Sequence, residues 1–380
     1  MAGLTIEYKE TSEEKLRSLA PYTSLFRECL KDAQKMNASD IHFEPNSEGL
    51  SIRIRVNGDL FLYKSLSKDY RQSFIQEVKR LSNISIAVSN RPQDSRLSLP
   101  SWNLALRVNS TPILYGEKIV LRLLDMTTDF NLDSINLSPD VSQDLINASN
   151  EKNGVIIVSG PTGSGKTRTL FSLLNSLDKE RRNIVTLEDP VEYTFKGINQ
   201  IEIKKSLSFS DGLRAILRQD PDIILVGEMR DYETADLCFK AAATGHLVLS
   251  TLHSNDPIKS IERLENMGVD KYMVNSNLRF SAAQRLIKKL CPHCSIDVSK
   301  DDVSNLSLQK GNFKTRNPQG CSYCNKGIIG RLPIMEYLTK KELTNDLKLK
   351  SKKTFSDEIL EKASQGLIDF KEVKYLGKFN

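Results

Sequence analysis

Between residues 50 and 56 the chain alternates strictly, Leu50-Ser-Ile-Arg-Ile-Arg-Val56. A period of two marks a strand buried on one face only. The strand runs into Asn57-Gly58 and then Leu60-Phe-Leu-Tyr63, which predicts a tight hairpin. Upstream, Leu25, Phe26, Cys29, Leu30 and Ala33 recur at helical spacing between Pro21 and about Met36, so an amphipathic helix is predicted there. Residues 69–82 read as a second helix. Two further alternating strands follow, one carrying Leu104, Leu106 and Val108, the other Ile119, Leu121 and Leu123. Together these elements predict an α+β domain over residues 21–126, built on an antiparallel sheet. A polar tail over 1–20 precedes it, and a linker rich in Asp, Asn, Ser and Pro over 127–139 follows.

From residue 140 the texture changes. Val155–Val158, Ile184–Leu187, Ile223–Val226 and Leu247–Leu249 are short, continuous apolar runs separated by helical patterns. Strands covered on both faces of a parallel sheet have this character. Leu170, Leu173, Leu174 and Leu177 supply the crossover helix between the first two. Residues 140–380 are therefore expected to form an α/β domain, ending in helices over 340–380.

Composition narrows the class. Apolar residues make up 39% and charged residues 27% of 380 positions, which excludes wholesale disorder and fibrous repeats. The net charge of +6 is too dilute along the chain to call for direct nucleic-acid binding. No apolar run is long enough for a transmembrane segment. The N-terminus, charged from Glu7, lacks the apolar core of a secretory signal. A soluble, intracellular protein is expected.

Gly160-Pro161-Thr162-Gly163-Ser164-Gly165-Lys166-Thr167 satisfies G-x-x-x-x-G-K-[ST], directly after one predicted strand and at the head of a predicted helix. Its glycines let backbone N–H groups curl around phosphates at a helix N-terminus. Lys166 would neutralise the outer phosphates and the Thr167 hydroxyl would ligate Mg²⁺, with Arg168 next along the helix. No guanine-reading Asn-Lys-x-Asp motif is present, so ATP is the expected nucleotide.

Ligands of open α/β sheets sit beyond the carboxyl ends of the strands. Glu188 and Asp189 end one predicted strand, Glu228 ends another, and His253 follows a third. A carboxylate there can hold Mg²⁺ or orient the attacking water. Seven residues of strand span about 23 Å, so His246 belongs at the opposite end, as a structural histidine or at a subunit contact. Cys291-Pro-His-Cys294 and Cys321-Ser-Tyr-Cys324 are two C-x-x-C pairs able to close a tetrahedral Zn²⁺ site. With no open coordination position, such a site is structural. His293 between the ligands is expected to face solvent, and Cys29 and Cys238 to be ordinary buried thiols.

These residues resemble a known family. Val185-Thr-Leu-Glu-Asp-Pro-Val-Glu-Tyr193 is similar to the acidic box of the ATPases that drive type II secretion and type IV pilus assembly. Leu213 to Glu228 resembles their modified Walker B, and Thr244 to His253 their histidine box. Ser39-Asp-Ile-His-Phe-Glu-Pro45, the segment Gly116 to Leu124 and the four cysteines also match. The resemblance covers about residues 35–340. It implies a RecA-like P-loop NTPase core, a smaller N-terminal α+β (PAS-like) domain and a C-terminal tetracysteine zinc element over 291–324. It further implies a homo-hexamer on the cytoplasmic face of a bacterial inner membrane, working on a polytopic platform protein and other inner-membrane components. Nucleotide would bind between domains, with Arg107, Arg122, Arg214 and Arg218 reaching its phosphates, partly from neighbours. By pattern alone, Arg107 and Arg122 lie in the polar phase of their strands and read as a solvated face.

Ser95 stands where the family has Gly in Asp-Gly-Arg, and Met229 where it has Ile after the Walker B Glu. Little chain precedes the helix at Pro21, where many assembly ATPases carry a docking domain, so that domain is expected to be missing here. Three alternatives remain: a pilus-retraction ATPase, which typically lacks the four cysteines; a nucleotide-gated scaffold with little turnover; and a DNA translocase, which the dilute charge disfavours.

Overall fold

The computed structural model describes residues 20–204, 206–299, 311–343 and 349–373. The predicted polar tail lies outside them except for Ala20, as do parts of the predicted C-terminal helices. The chain divides into two units, Met1–Thr128 and Asp129–Asn380.

In the first unit, helix α1 (Pro21–Lys35) leads into strands β1 (Ala38–Pro45), β2 (Gly49–Val56) and β3 (Asp59–Ser67). Helix α2 (Lys68–Leu81) and strands β4 (Gln93–Leu99), β5 (Leu104–Ile113) and β6 (Gly116–Asp125) follow. The strands form one antiparallel sheet in the order β3-β2-β1-β6-β5-β4. Asn57 and Gly58 join β2 to β3 with φ of 52° and 93°. A two-residue turn matching the strand twist needs positive φ at both positions, which Asn and Gly supply at least cost. Leu50, Ile52, Ile54 and Val56 point inward against Phe26 and Leu30 of α1 and Phe74 and Val78 of α2. The intervening polar residues face the other way.

The second unit is wound around a seven-stranded sheet. Helix α3 (Pro139–Ser149) precedes β7 (Gly154–Ser159), α4 (Lys166–Ser176), β8 (Ile184–Glu188) and β9 (Asn199–Glu202). Then come α5 (Phe209–Ile216), β10 (Ile223–Val226), α6 (Tyr232–Ala243), β11 (Leu247–Leu252), α7 (Pro257–Asn266) and α8 (Lys271–Asn277). Strand β12 (Leu278–Leu290), the short β13 (Ile296–Asp297) and β14 (Lys314–Thr315), and β15 (Ile328–Thr339) follow, and then α9 (Lys340–Leu343) and α10 (Phe355–Ser364). The order is β15-β12-β7-β11-β10-β8-β9. All neighbours are parallel except β15, which runs antiparallel to β12. Val155 and Ile157 feed the core on one face, Ile156 and Val158 the core on the other. That two-sided burial is why the run is continuous rather than alternating.

Three features differ from the sequence reading. Phe130, Leu132 and Ile135, in the stretch expected to be a linker, are buried with Leu170 and Phe171 in the second unit's core. Polar composition masked three apolar anchors spaced among turn residues. Leu177 lies just past the end of α4, in extended conformation, rather than within the helix. The long β12–β15 ribbon carries no alternation a strand reader would find, because the first seven residues of β12 are all buried. Among the described residues, no helix is long and apolar enough to cross a membrane.

Candidate active site

Strand β7 ends at Ser159, and the chain then curls through Gly160, Gly163 and Gly165 with φ of 143°, 78° and 88° before α4 begins at Lys166. At Gly160 a Cβ would stand 2.4 Å from the Gln284 carbonyl oxygen, so only glycine lets the loop lie this close to β12. Lys166 folds back, its Nζ donating to the carbonyls of Gly160 (2.8 Å) and Pro161 (3.1 Å). Burial lowers the Lys166 pKa and the nearby Glu228 charge opposes that shift. Thr162, Thr167 and Arg168 are exposed, and Arg168 Nη2 lies 3.4 Å from the Asp129 carbonyl. Ser164 is buried.

The parallel register sets Leu187 beside Val226 and Val226 beside Ser250. Glu188, Glu228 and His253 therefore leave the sheet at the same edge, the carboxyl ends of β8, β10 and β11. Glu228 is held on both oxygens: Arg230 pairs with Oε1, and His253 Nε2 lies 3.3 Å from Oε2. Its side chain is only 16% exposed. Glu188 is buried, accepting from Thr186 Oγ1 (2.7 Å) and Gln200 Nε2 (2.9 Å), and burial raises its pKa. Asp189 is exposed, 3.8 Å from Arg230. His246 sits at the other end of β11, its Nδ1 2.9 Å from the Ala241 carbonyl, a local contact in the turn after α6.

The arginines are distributed differently. Arg214 is exposed and paired with Glu233 at 2.6 Å and Asp211 at 3.7 Å, and Arg218 is exposed. In the first unit, Arg96, Arg107 and Arg122 stand directly opposite one another across β4, β5 and β6. Asp40 and Arg55 continue the row on β1 and β2. Asp40 compensates part of this charge, with Arg122 Nε at 3.2 Å and Arg55 Nε at 3.8 Å. Like charges in register disfavour a sheet, and Asp40 offsets this for Arg122 and Arg55. Ser95, in the position of the family's glycine, donates to the Ser82 carbonyl at 2.5 Å. Met229 is buried in the core. Neither departure disturbs a polar group of the site.

The four cysteines converge. Cys291 Sγ lies 3.8 Å from that of Cys321, and Cys324 Sγ lies 3.6 Å from those of Cys294 and Cys321. Four sulfurs bound at about 2.3 Å around one tetrahedral Zn²⁺ stand about 3.8 Å apart, so the donor set and its spacing fit that ion. His293 is exposed, its ring 4.6 Å from that of Tyr323. Burial pushes the Cys29 thiol up to about 12 and raises that of Cys238.

Sequence reasoning missed two residues. Arg230 had a signal, lying two positions after Glu228 at a strand end. Gln284 had none: a glutamine inside an unrecognised strand reads as any polar residue.

The family described as Type II/IV secretion system protein matches residues 15–374. The type IV pilus assembly ATPase PilB of Acinetobacter baylyi is 40% identical over 338 residues, 86% of this chain and 58% of that protein. The type II secretion system protein E of Klebsiella pneumoniae is 40% identical over 328 residues, 84% of this chain and 66% of that protein. The chain thus spans about three fifths of the length of such relatives. The crystal structure of the pilus retraction motor PilT with bound ADP superposes with a TM-score of 0.63 at 25% identity, over 92% of this chain and 96% of that one.

Proposed function

The chain belongs to the type II/IV secretion system protein family, and on that premise we propose that it is an ATPase motor that powers pilin or pseudopilin assembly in a type IV pilus or type II secretion system. One observation carries the reading: a glycine-rich phosphate loop whose neighbouring strands deliver an acid and a histidine, already joined as Glu228 and His253, to the same edge of the sheet. The relatives at 40% identity are assembly and secretion proteins, whereas the retraction motor is 25% identical; this favours assembly over retraction.

In this reading Gly160 to Thr167 wrap the phosphates of ATP, and Lys166 exchanges its two loop carbonyls for phosphate oxygens. The Thr167 hydroxyl and Glu228 would hold Mg²⁺, which would supply neutralisation of the β- and γ-phosphate charge. Glu228 orients the attacking water, and His253 and Arg230 fix the carboxylate's direction. Glu188 assists from the next strand end, while Arg107, Arg122, Arg168, Arg214 and Arg218 contribute charge to the nucleotide; Arg214 must first leave Glu233. Cys291, Cys294, Cys321 and Cys324 hold a structural Zn²⁺. The active form is a homo-hexamer at the cytoplasmic face of the inner membrane, pushing on a polytopic platform protein.

Glu228→Gln tests the core of this. Removing an acid that orients water costs about 10²–10⁴ in rate, so turnover should fall at least a hundredfold while nucleotide still binds. An unchanged rate on assembled hexamers removes Glu228 from the mechanism.

A further inference from the structure

Ser159 is the last residue of β7 to pair with β12, opposite Ala283. Beyond that point the β7 chain leaves the ladder to become the phosphate loop, and its buried backbone groups need other partners. The next residue on β12 is Gln284, 1% exposed. Its Nε2 donates to the Ser164 carbonyl at 2.7 Å, and its Oε1 accepts from Thr169 Oγ1 at 2.8 Å. One side chain thus ties the loop and the first turn of α4 to β12.

The bond to Ser164 has a directional consequence. The Ser164 carbonyl and the Gly165 N–H share one planar trans peptide and point to opposite sides of it. Holding the carbonyl back against β12 aims the Gly165 N–H away from β12. Gly165, with positive φ, could otherwise rotate at little cost. The fit leaves no slack, since a Cβ on Gly165 would lie 2.8 Å from Gln284 Nε2.

We propose that Gln284 is a positioning residue for nucleotide binding, locking the Ser164–Gly165 peptide so that the Gly165 N–H faces the phosphates. The inference rests on the reading of this loop as an ATP site. An amide is required because the two partners are opposite in kind: Ser164 offers an acceptor and Thr169 a donor. A carboxylate at this position satisfies Thr169 but repels the Ser164 carbonyl.

The test measures ADP affinity and ATP turnover for the full chain. Gln284→Glu and Gln284→Leu should each weaken ADP binding at least tenfold and raise KM for ATP by a similar factor, with kcat at saturation changed less than threefold. Thr169→Val, which leaves the bond to Ser164, should weaken binding no more than about threefold. A purely structural role would lower the thermal midpoint and leave the affinity of the folded protein alone. Gln284→Met carries the same expectation if Gln284→Glu does not fold. ADP affinity within twofold of wild type in any folded Gln284 variant overturns the proposal. Wild-type protein that binds neither ADP nor ATP overturns the underlying functional reading instead.

Discussion

Glu188 and Glu228 end neighbouring strands, yet their surroundings separate them. Glu228 has a guanidinium and an imidazole on its two oxygens, which fix the direction of the carboxylate. Glu188 lies buried with two neutral donors, and burial raises its pKa above the ordinary 4.5. A carboxyl with a raised folded-state pKa favours folding most below its unfolded pKa. That contribution is lost as pH rises through the folded-state value, because the native site must then hold a desolvated charge. Glu188→Gln removes the titration, so its thermal midpoint relative to wild type should climb from pH 4 to pH 8. Midpoints that run parallel across that range would show that Glu188 ionises in the native protein as freely as in the unfolded chain. In turnover, Glu188→Gln should cost about tenfold, well short of the loss in Glu228→Gln, because the side chains that hold Glu188 are the neutral Thr186 and Gln200.

At the scale of elements, what the sequence made legible follows from burial geometry. Strand β2 was readable because one face is core and the other polar, and β7, β8, β10 and β11 because both faces are core. The phosphate loop was readable because its glycines answer a backbone requirement visible in the letters. The β12–β15 ribbon was not, although it carries Gln284 on one strand and leads directly into Cys291 and out from Cys324. Its seven buried residues at Leu278–Gln284 mix Arg, Ser and Gln with apolar side chains, satisfied by hydrogen bonds that no pattern announces. The apolar anchors Phe130, Leu132 and Ile135 were hidden similarly, by turn residues between them. Because the ribbon's connection closes on four thiols, metal should matter for its stability. One Zn²⁺ per chain is expected by metal analysis, falling to near none in Cys291→Ser or Cys324→Ser. Chelation should lower the thermal midpoint of wild type by several degrees and leave that of Cys324→Ser unmoved. Full stability with no bound metal would remove the structural role.

For the whole molecule, the two units hold different halves of the proposed chemistry. The second carries the loop, Glu228 and His253; the first carries the in-register row of Arg96, Arg107 and Arg122. A ring of head-to-tail subunits can bring such a row from one chain to the nucleotide of the next. Subunit mixing tests this directly. In the proposed hexamer, Arg107→Ala and Glu228→Gln should each be nearly inactive when assembled alone. In an equal mixture, a site is complete when its own chain has Glu228 and its neighbour has Arg107. Random assembly makes about a quarter of sites complete, so mixing should restore about a quarter of wild-type turnover. If Arg107 serves its own chain's nucleotide, no site in the mixture is complete and no activity returns. If Arg107→Ala alone stays fully active, Arg107 has no part in hydrolysis.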